Sequence, residues 1–266
     1  MSRPITHRPR KRFGQHFLHD PAVIERIVSA IDPRPGDTII EIGPGQGAIT
    51  LPLLQKHGAL EAVELDRDLV ALLREKAAGH GELLIHEADA LKFDFRQRKQ
   101  AGGPLKIVGN LPYNVSTPLL FHLLGQIDCV SVMYFMLQKE VVERMAAAPG
   151  NKRYGRLTVM LAASVKVEKL FTIGAGAFKP PPAVESAFCL LTPWPQRPFE
   201  VPDPERFRQL VTQAFSARRK TLRNALRGMV SVEQIGGLGI DPGLRPENLS
   251  PAQFAALAAL SKESAR

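Results

Sequence analysis

Thr38-Ile-Ile-Glu-Ile-Gly-Pro-Gly-Gln-Gly47 is the stretch on which the architecture turns. A short apolar run, Thr38 to Ile42, passes without a spacer into three glycines at alternate positions, and helical spacing follows over Ile49 to Gln55. A strand that turns through glycines into a helix is the opening of a βαβ unit. Glycine there lets backbone approach a ligand closely, and it equally serves a tight turn on steric grounds alone. Working outward, strand-like runs at Leu60 to Leu65, Leu83 to His86, Leu105 to Val108 and Val130 to Leu137 alternate with helical patterns at Arg67 to Ala77, Thr117 to Leu124 and Lys139 to Ala147. Two further β-rich runs lie near Lys166 to Thr172 and Val184 to Leu191, and a helix is predicted upstream over Pro21 to Ile31. Such alternation predicts an α/β fold, Rossmann-like, with a mainly parallel doubly wound sheet.

The 266 residues exceed a usual single domain of roughly 100 to 200, so a large domain with a smaller appendage is expected. Pro193, Pro195, Pro198, Pro202 and Pro204 form a stiff connector, beyond which Glu205 to Phe215, Lys220 to Met229, Ser231 to Ile235 and Pro251 to Leu260 read as short helices. The expected organisation is a basic arm over 1–20, a Rossmann-like domain over 21–195 and a helical domain over 196–266.

A formal charge of +9 indicates attraction to polyanions. Arg3, Arg8, Arg10, Lys11 and Arg12 form one acid-free cluster, and Arg218, Arg219, Lys220, Arg223 and Arg227 form another. Each also reads as a solvated face; their purity points to RNA, with Arg10, Lys11, Arg12, Arg218, Arg219, Lys220 and Arg223 as candidate phosphate contacts. Cys129 and Cys189 sit far apart in apolar runs and read as core thiols, and the seven histidines do not complete a ligand cluster, so no metal is expected. Neither a run of ~18 apolar residues nor a signal-peptide h-region occurs, so a cytoplasmic protein without membrane association is expected. A monomer is the default expectation.

Glu64 ends the second strand of the alternation about 20 residues past the glycine loop, where an acid can accept hydrogen bonds from ribose hydroxyls. The spacing G-x-G-x-G at Gly43, Gly45 and Gly47 resembles methyltransferases more than dinucleotide dehydrogenases, and a cofactor without pyrophosphate, S-adenosylmethionine, suits a loop that lacks a phosphate-gripping lysine. Asp89, past the third strand, could accept from the adenine amino group or cap a helix. After the fourth strand stands Asn110-Leu-Pro-Tyr113, which resembles the [N/D]-P-P-[Y/F] signature of amino-methyltransferases. An exocyclic amine is a poor nucleophile because its lone pair is delocalised into the ring. Acceptors at the Asn110 side chain and the Leu111 carbonyl could fix it towards tetrahedral geometry, with Tyr113 stacking on the base.

Lys11-Arg-Phe-Gly-Gln-His-Phe-Leu18, Phe135-Met-Leu-Gln-Lys-Glu140, Tyr154-Gly-Arg-Leu157, Phe178-Lys-Pro-Pro-Pro182, Arg218-Arg-Lys-Thr-Leu-Arg-Asn224 and Arg245-Pro-Glu-Asn-Leu-Ser250 join these loops in order. With them the chain resembles the bacterial small-subunit (16S) ribosomal RNA adenine N6-dimethyltransferases from Lys11 to about Leu260. The resemblance implies cofactor roles for His16, Leu18, Gly43, Glu64, Asp89 and Asn110, and a sandwich of the target adenine between Tyr113 and Phe178, the latter also reading as a core aromatic before a rigid Pro turn. His16 stands where the family more commonly has Asn. The implied reaction is S-adenosylmethionine-dependent N6,N6-dimethylation of two adjacent adenosines near the 3′ end of 16S rRNA, in the small subunit or its assembly precursor. Two rivals are the related large-subunit adenine methyltransferases of macrolide resistance and a non-catalytic assembly factor. Arg218 to Asn224 and Gly239-Ile-Asp-Pro-Gly243 resemble the small-subunit family, and the intact loops argue for catalysis.

Overall fold

The computed structural model describes residues 16–99, 103–112 and 115–260, and the elements below are those among them. In chain order they are β1 (Phe17–Leu18), α1 (Pro21–Ile31), β2 (Thr38–Ile42), α2 (Thr50–His57), β3 (Ala59–Glu64), α3 (Arg67–Ala77), β4 (Glu82–Glu87), α4 (Arg96–Lys99), β5 (Leu105–Asn110) and α5 (Ser116–Leu124). There follow β6 (Val130–Gln138), α6 (Lys139–Met145), α7 (Arg156–Ala162), β7 (Val165–Ile173), β8 (Phe178–Lys179), β9 (Ser186–Pro193), α8 (Pro204–Ser216), α9 (Leu222–Ala225), α10 (Val232–Gly237) and α11 (Pro251–Ala259).

Seven of these strands form one sheet in the order β4-β3-β2-β5-β6-β9-β7. The pairs β3–β4, β2–β3, β2–β5 and β5–β6 are parallel, and β6–β9 is antiparallel. This is the expected doubly wound α/β sheet, with helices supplying the crossovers that parallel neighbours require. The chain starts at β2, walks outward to β4 and returns to β5 on the other side, so the strand order reverses between β2 and β5.

Local chemistry sets the helix ends. Asp20 caps α1 by accepting from the Ala22 and Val23 amides at 2.9 and 3.1 Å, Pro21 occupies the first turn, and Asp32 ends the helix at φ 45°. Asp66 caps α3 and Asp203 caps α8 in the same manner. Ser231 with Gln234, and Ser250 with Gln253, form reciprocal capping boxes on α10 and α11. Lys106 in β5 reaches back to the end of α1, where its Nζ donates to the Ile31 and Asp32 carbonyls and pairs with Asp37 at 2.6 Å. A buried ammonium is thereby satisfied while it holds a helix C-terminus against the sheet.

The chain divides into two compact units, Met1–Val142 with Glu168–Pro193, and Glu143–Val167 with Trp194–Arg266. In the first, Ile27, Val28 and Ile31 of α1, Leu53 and Leu54 of α2, and Ile39, Val108 and Phe188 of the sheet share one core. In the second, Phe207, Leu210 and Val211 of α8 pack with Phe254 and Leu257 of α11. The expected boundary assigned 143–167 to the domain over 21–195. The contacts differ because Tyr154, Val159 and Ala163 are buried in the helical core. The expected helix over Lys220 to Met229 is reduced to α9: the Leu222 and Arg223 amides bond to the Leu244 and Pro242 carbonyls, and Gly228 turns at φ 83°.

Tyr154 is fully buried and donates its hydroxyl to the Leu249 carbonyl at 2.8 Å. Tyr154→Phe keeps the ring but leaves that carbonyl unpaired, so the helical unit should lose about 1 to 3 kcal/mol, seen as a lower urea midpoint.

Candidate active site

The carboxyl ends of β2, β3 and β5, with the loop after β4, open into a single cavity at the point where the strand order reverses. That crevice is where open α/β sheets bind ligands. His16, Leu18, Gly43, Gly45, Glu64, Asp89, Asn110 and Leu111 all line it, so eight of the expected positions converge from five separate segments.

Gly43, Gly45 and Gly47 have φ of 66°, 58° and 86°, in the left-handed region that side chains rarely adopt. Space adds to the requirement at Gly47, where a Cβ would lie 2.8 Å from a Leu73 methyl. Lys76 of α3 donates to the Gln46 carbonyl at 3.0 Å and holds the loop from outside. From the end of β3 Glu64 holds it too, Oε2 accepting from the Gly45 amide at 3.3 Å while Oε1 accepts from the Leu65 and Asp66 amides at 2.9 Å. Burial raises the Glu64 carboxyl above its ordinary value; the three amides oppose that shift and the Asp66 charge adds to it. Leu65 beside it is 53% exposed and offers an apolar face at the cavity.

Glu41 falls inside the Thr38 to Ile42 run with no role assigned from the sequence, yet it lines the cavity at 2% exposure and its Oε2 has no hydrogen-bond partner. Burial pushes its carboxyl up to about 7, opposed by the Thr50 hydroxyl and reinforced by Glu64. The available signal was an acid inside an otherwise apolar buried strand. Asp89 is half-buried, and its Oδ1 accepts from the Leu91 amide at 3.0 Å, so it shapes its own turn as well as facing the cavity.

Asn110 ends β5, and the Leu111 amide donates to the Met136 carbonyl at 3.1 Å, anchoring the following loop to β6. Phe17 and Leu18 pair with Lys179 and Phe178, the His16 Nδ1 donates to the Pro180 carbonyl at 2.9 Å, and the His16 carbonyl accepts from Asn110 Nδ2 at 3.2 Å. The side-chain contact that the replacement of the commoner Asn by His16 left open is thus one that seats the segment on Pro180. Phe178 is 3% exposed, packs into the core and does not line the cavity. Tyr113, Arg10, Lys11 and Arg12 lie outside the described residues. Arg219, Lys220 and Arg223 are exposed in the helical unit, whereas Arg218 is held by Glu247 at 2.6 Å and by the Lys152 carbonyl. Among the described residues no His, Cys, Asp and Glu group could hold a metal ion, and no helix is long and apolar enough to cross a membrane.

The model of the family described as ribosomal RNA adenine dimethylase matches residues 6–263. The chain belongs to that family. It is 54% identical over its full length to the ribosomal RNA small subunit methyltransferase A of Marinobacter nauticus, covering 96% of that protein, and 51% identical over 97% of its length to the enzyme of the same name from Pseudomonas aeruginosa, again covering 96%. Among solved structures, the dimethyladenosine transferase of Plasmodium falciparum is similar at a TM-score of 0.79, with 25% identity and coverage of 91% of this chain and 96% of that one. The 23S rRNA methyltransferase ErmE is similar at 0.72, also with 25% identity, covering 91% and 98%.

The chain is accordingly an S-adenosylmethionine-dependent rRNA adenine dimethyltransferase with an RNA substrate. The site fits that cofactor: left-handed glycines keep the loop free of side chains, Glu64 and Asp89 offer acceptors, and Glu41 turns an unsatisfied oxygen into the crevice.

Glu64→Gln would set an amide NH2 against backbone N–H donors, and S-adenosylmethionine affinity by calorimetry should fall by about 10-fold or more. For Glu41 the folded-state value of about 7 exceeds the ordinary 4.5, so the folded chain binds the proton more tightly. Its contribution is fully present below pH 4.5 and is lost as pH rises through 7. Glu41→Gln should therefore flatten the fall in melting temperature of the cofactor-free protein over that window, and a fall as steep as in the parent would show that another group titrates.

Proposed function

We propose that this enzyme dimethylates the N6 amines of two adjacent adenosines near the 3′ end of 16S rRNA, acting on the small subunit or its precursor during ribosome biogenesis. The observation that carries this reading is the placement of the Asn110 and Leu111 acceptor loop around the same cavity as the glycine loop and Glu64. The small-subunit assignment draws on relatives at 50 to 56% identity that carry that name, against 25% for the 23S enzyme of similar fold. A cytoplasmic, monomeric enzyme accords with this role.

When bound, S-adenosylmethionine supplies an electrophilic methyl group. Glu64 is assigned to the ribose hydroxyls, Asp89 to the adenine amino group, and the main chain of Gly43 and Gly45 to close approach. Asn110 Oδ1 and the Leu111 carbonyl accept from the target amine and turn its lone pair out of conjugation, so alignment and preorganised acceptors contribute more than a strong base. Tyr113 is assigned to stacking on the splayed base. Phe178, expected as the second face of that sandwich, has a placement that supports seating β1 and the core. Arg219, Lys220 and Arg223 remain assigned to RNA phosphates with Arg10, Lys11 and Arg12, whereas the ion pair of Arg218 supports holding the helical unit together.

The deciding experiment supplies unmethylated small and large subunits separately and maps the products by mass spectrometry. Dimethyladenosine should appear at two neighbouring positions of the small-subunit RNA; label on the large subunit alone would transfer the enzyme to the rival class. Asn110→Ala should slow single-turnover methylation by ~10²- to 10³-fold with RNA affinity little changed, by comparison with loss of one preorganised transition-state hydrogen bond.

A further inference from the structure

Asn110 meets the strap formed by His16, Phe17 and Leu18, its Nδ2 donating to the main-chain carbonyl of His16 at 3.2 Å. A carbonyl oxygen carries only lone pairs, so it accepts from the amide nitrogen and repels the amide oxygen. The contact therefore decides which end of a nearly isosteric amide faces the strap, and it sends Oδ1 the other way. The choice matters because the target amine also carries hydrogens. A flipped Asn110 would set N–H against N–H, and the acceptor that the reaction requires would be lost.

The strap is itself fixed from several sides. Phe17 and Leu18 form a ladder with Lys179 and Phe178, the His19 amide donates to the Ala177 carbonyl at 2.9 Å, and the His16 ring donates to Pro180. On its other side the Phe17 ring lies against Gly45, where a Cβ would come within 3.3 Å of it. One short segment thus touches both the glycine loop that receives the cofactor and the side chain that receives the amine.

We propose that the His16 carbonyl is a positioning group for methyl transfer: the strap, when seated on β8, orients the Asn110 amide so that Oδ1 is offered to the target amine. Transfer then depends on a seated strap, and a cofactor pocket left uncovered also lacks a correctly turned acceptor. The proposal rests on the reading of Asn110 as the amine acceptor.

Replacing Phe17 by its α-hydroxy acid converts the His16–Phe17 amide to an ester, whose carbonyl is a weaker acceptor. Single-turnover methylation at saturating S-adenosylmethionine and small-subunit RNA should slow by about 5- to 10-fold, within the range of one ordinary hydrogen bond. The same ester should add nothing in an Asn110→Ala background. Equal slowing in both backgrounds, or no slowing where Asn110→Ala alone is slow, overturns the proposal. A near-normal rate for Asn110→Ala alone instead overturns the amine reading beneath it.

Asn110→Asp gives a second, independent readout. As a carboxylate the introduced group cannot donate to His16, whereas once protonated it can donate with its hydroxyl and accept with its carbonyl, as the amide does. The rate of the variant relative to the parent should therefore rise as pH is lowered. Glu41, Glu64, Asp66 and Asp89 also face the cavity, with His16 on the strap; their own titration is common to both proteins, and the charges of the acids raise the pH at which the introduced carboxyl takes up its proton. A ratio that stays flat across pH shows that the donated hydrogen bond is dispensable.

Discussion

Ile42 pairs in parallel register with Val63 on one side and with Gly109 on the other, and the active site depends on that double alignment. It brings the ends of β2, β3 and β5 to one level, so that the glycine loop, Glu64 and Asn110 leave the sheet together. The approach is close: a Cβ at Gly109 would lie 2.7 Å from the Ile42 carbonyl, and only glycine lets β5 run so near β2 at this height. The reversal of strand order at the same place then opens the crevice that a continuous walk across the sheet would fill with a crossover.

Two buried carboxylates occupy this crevice in opposite conditions. Glu64 is tied by three backbone amides and works as a clamp between β3 and the loop after β2. Glu41 has an oxygen with no partner and a carboxyl pushed up by burial and by its neighbour. An unsatisfied buried polar atom costs free energy in a resting fold, so its retention beside a cofactor loop fits a group whose partner arrives with the ligand. Stability is given up locally where binding recovers it, which is usual for a site built before its ligand is present.

Much of this was legible in the chain because the deciding signals are local. The bounds of α1, β2 and α3 agree with the predicted ones to the residue, since the helices begin at caps and show helical spacing and β2 is a short apolar run closed by the glycine loop. The convergence of Gly43, Glu64, Asp89 and Asn110 was legible because each stands at or just past the end of a successive strand, and the motif resemblance assigned them to one cofactor. The remainder arises from contacts distant in sequence. α7 is too short for its apolar residues to show a period, and its membership of the helical core is set by α8 and α11. The two-residue ladder between β1 and β8 offers no alternation to read, so neither the seat of His16 nor the burial of Phe178 could be found from spacing. Arg218 looked like the rest of its basic run until Glu247 was brought beside it.

The strap also explains why an amide suits the end of β5. On the proposed reading Asn110 satisfies a main-chain carbonyl on one side and presents a lone pair to the target amine on the other. A carboxylate offers lone pairs on both sides, and an alkyl group offers neither. The amide alone carries donor and acceptor at fixed separation on a planar group, without a charge that Glu41 and Glu64 would disfavour across the same cavity. In a crevice already crowded with acids, a neutral acceptor with a built-in donor meets both demands, and the choice of residue follows from its surroundings as much as from the chemistry it performs.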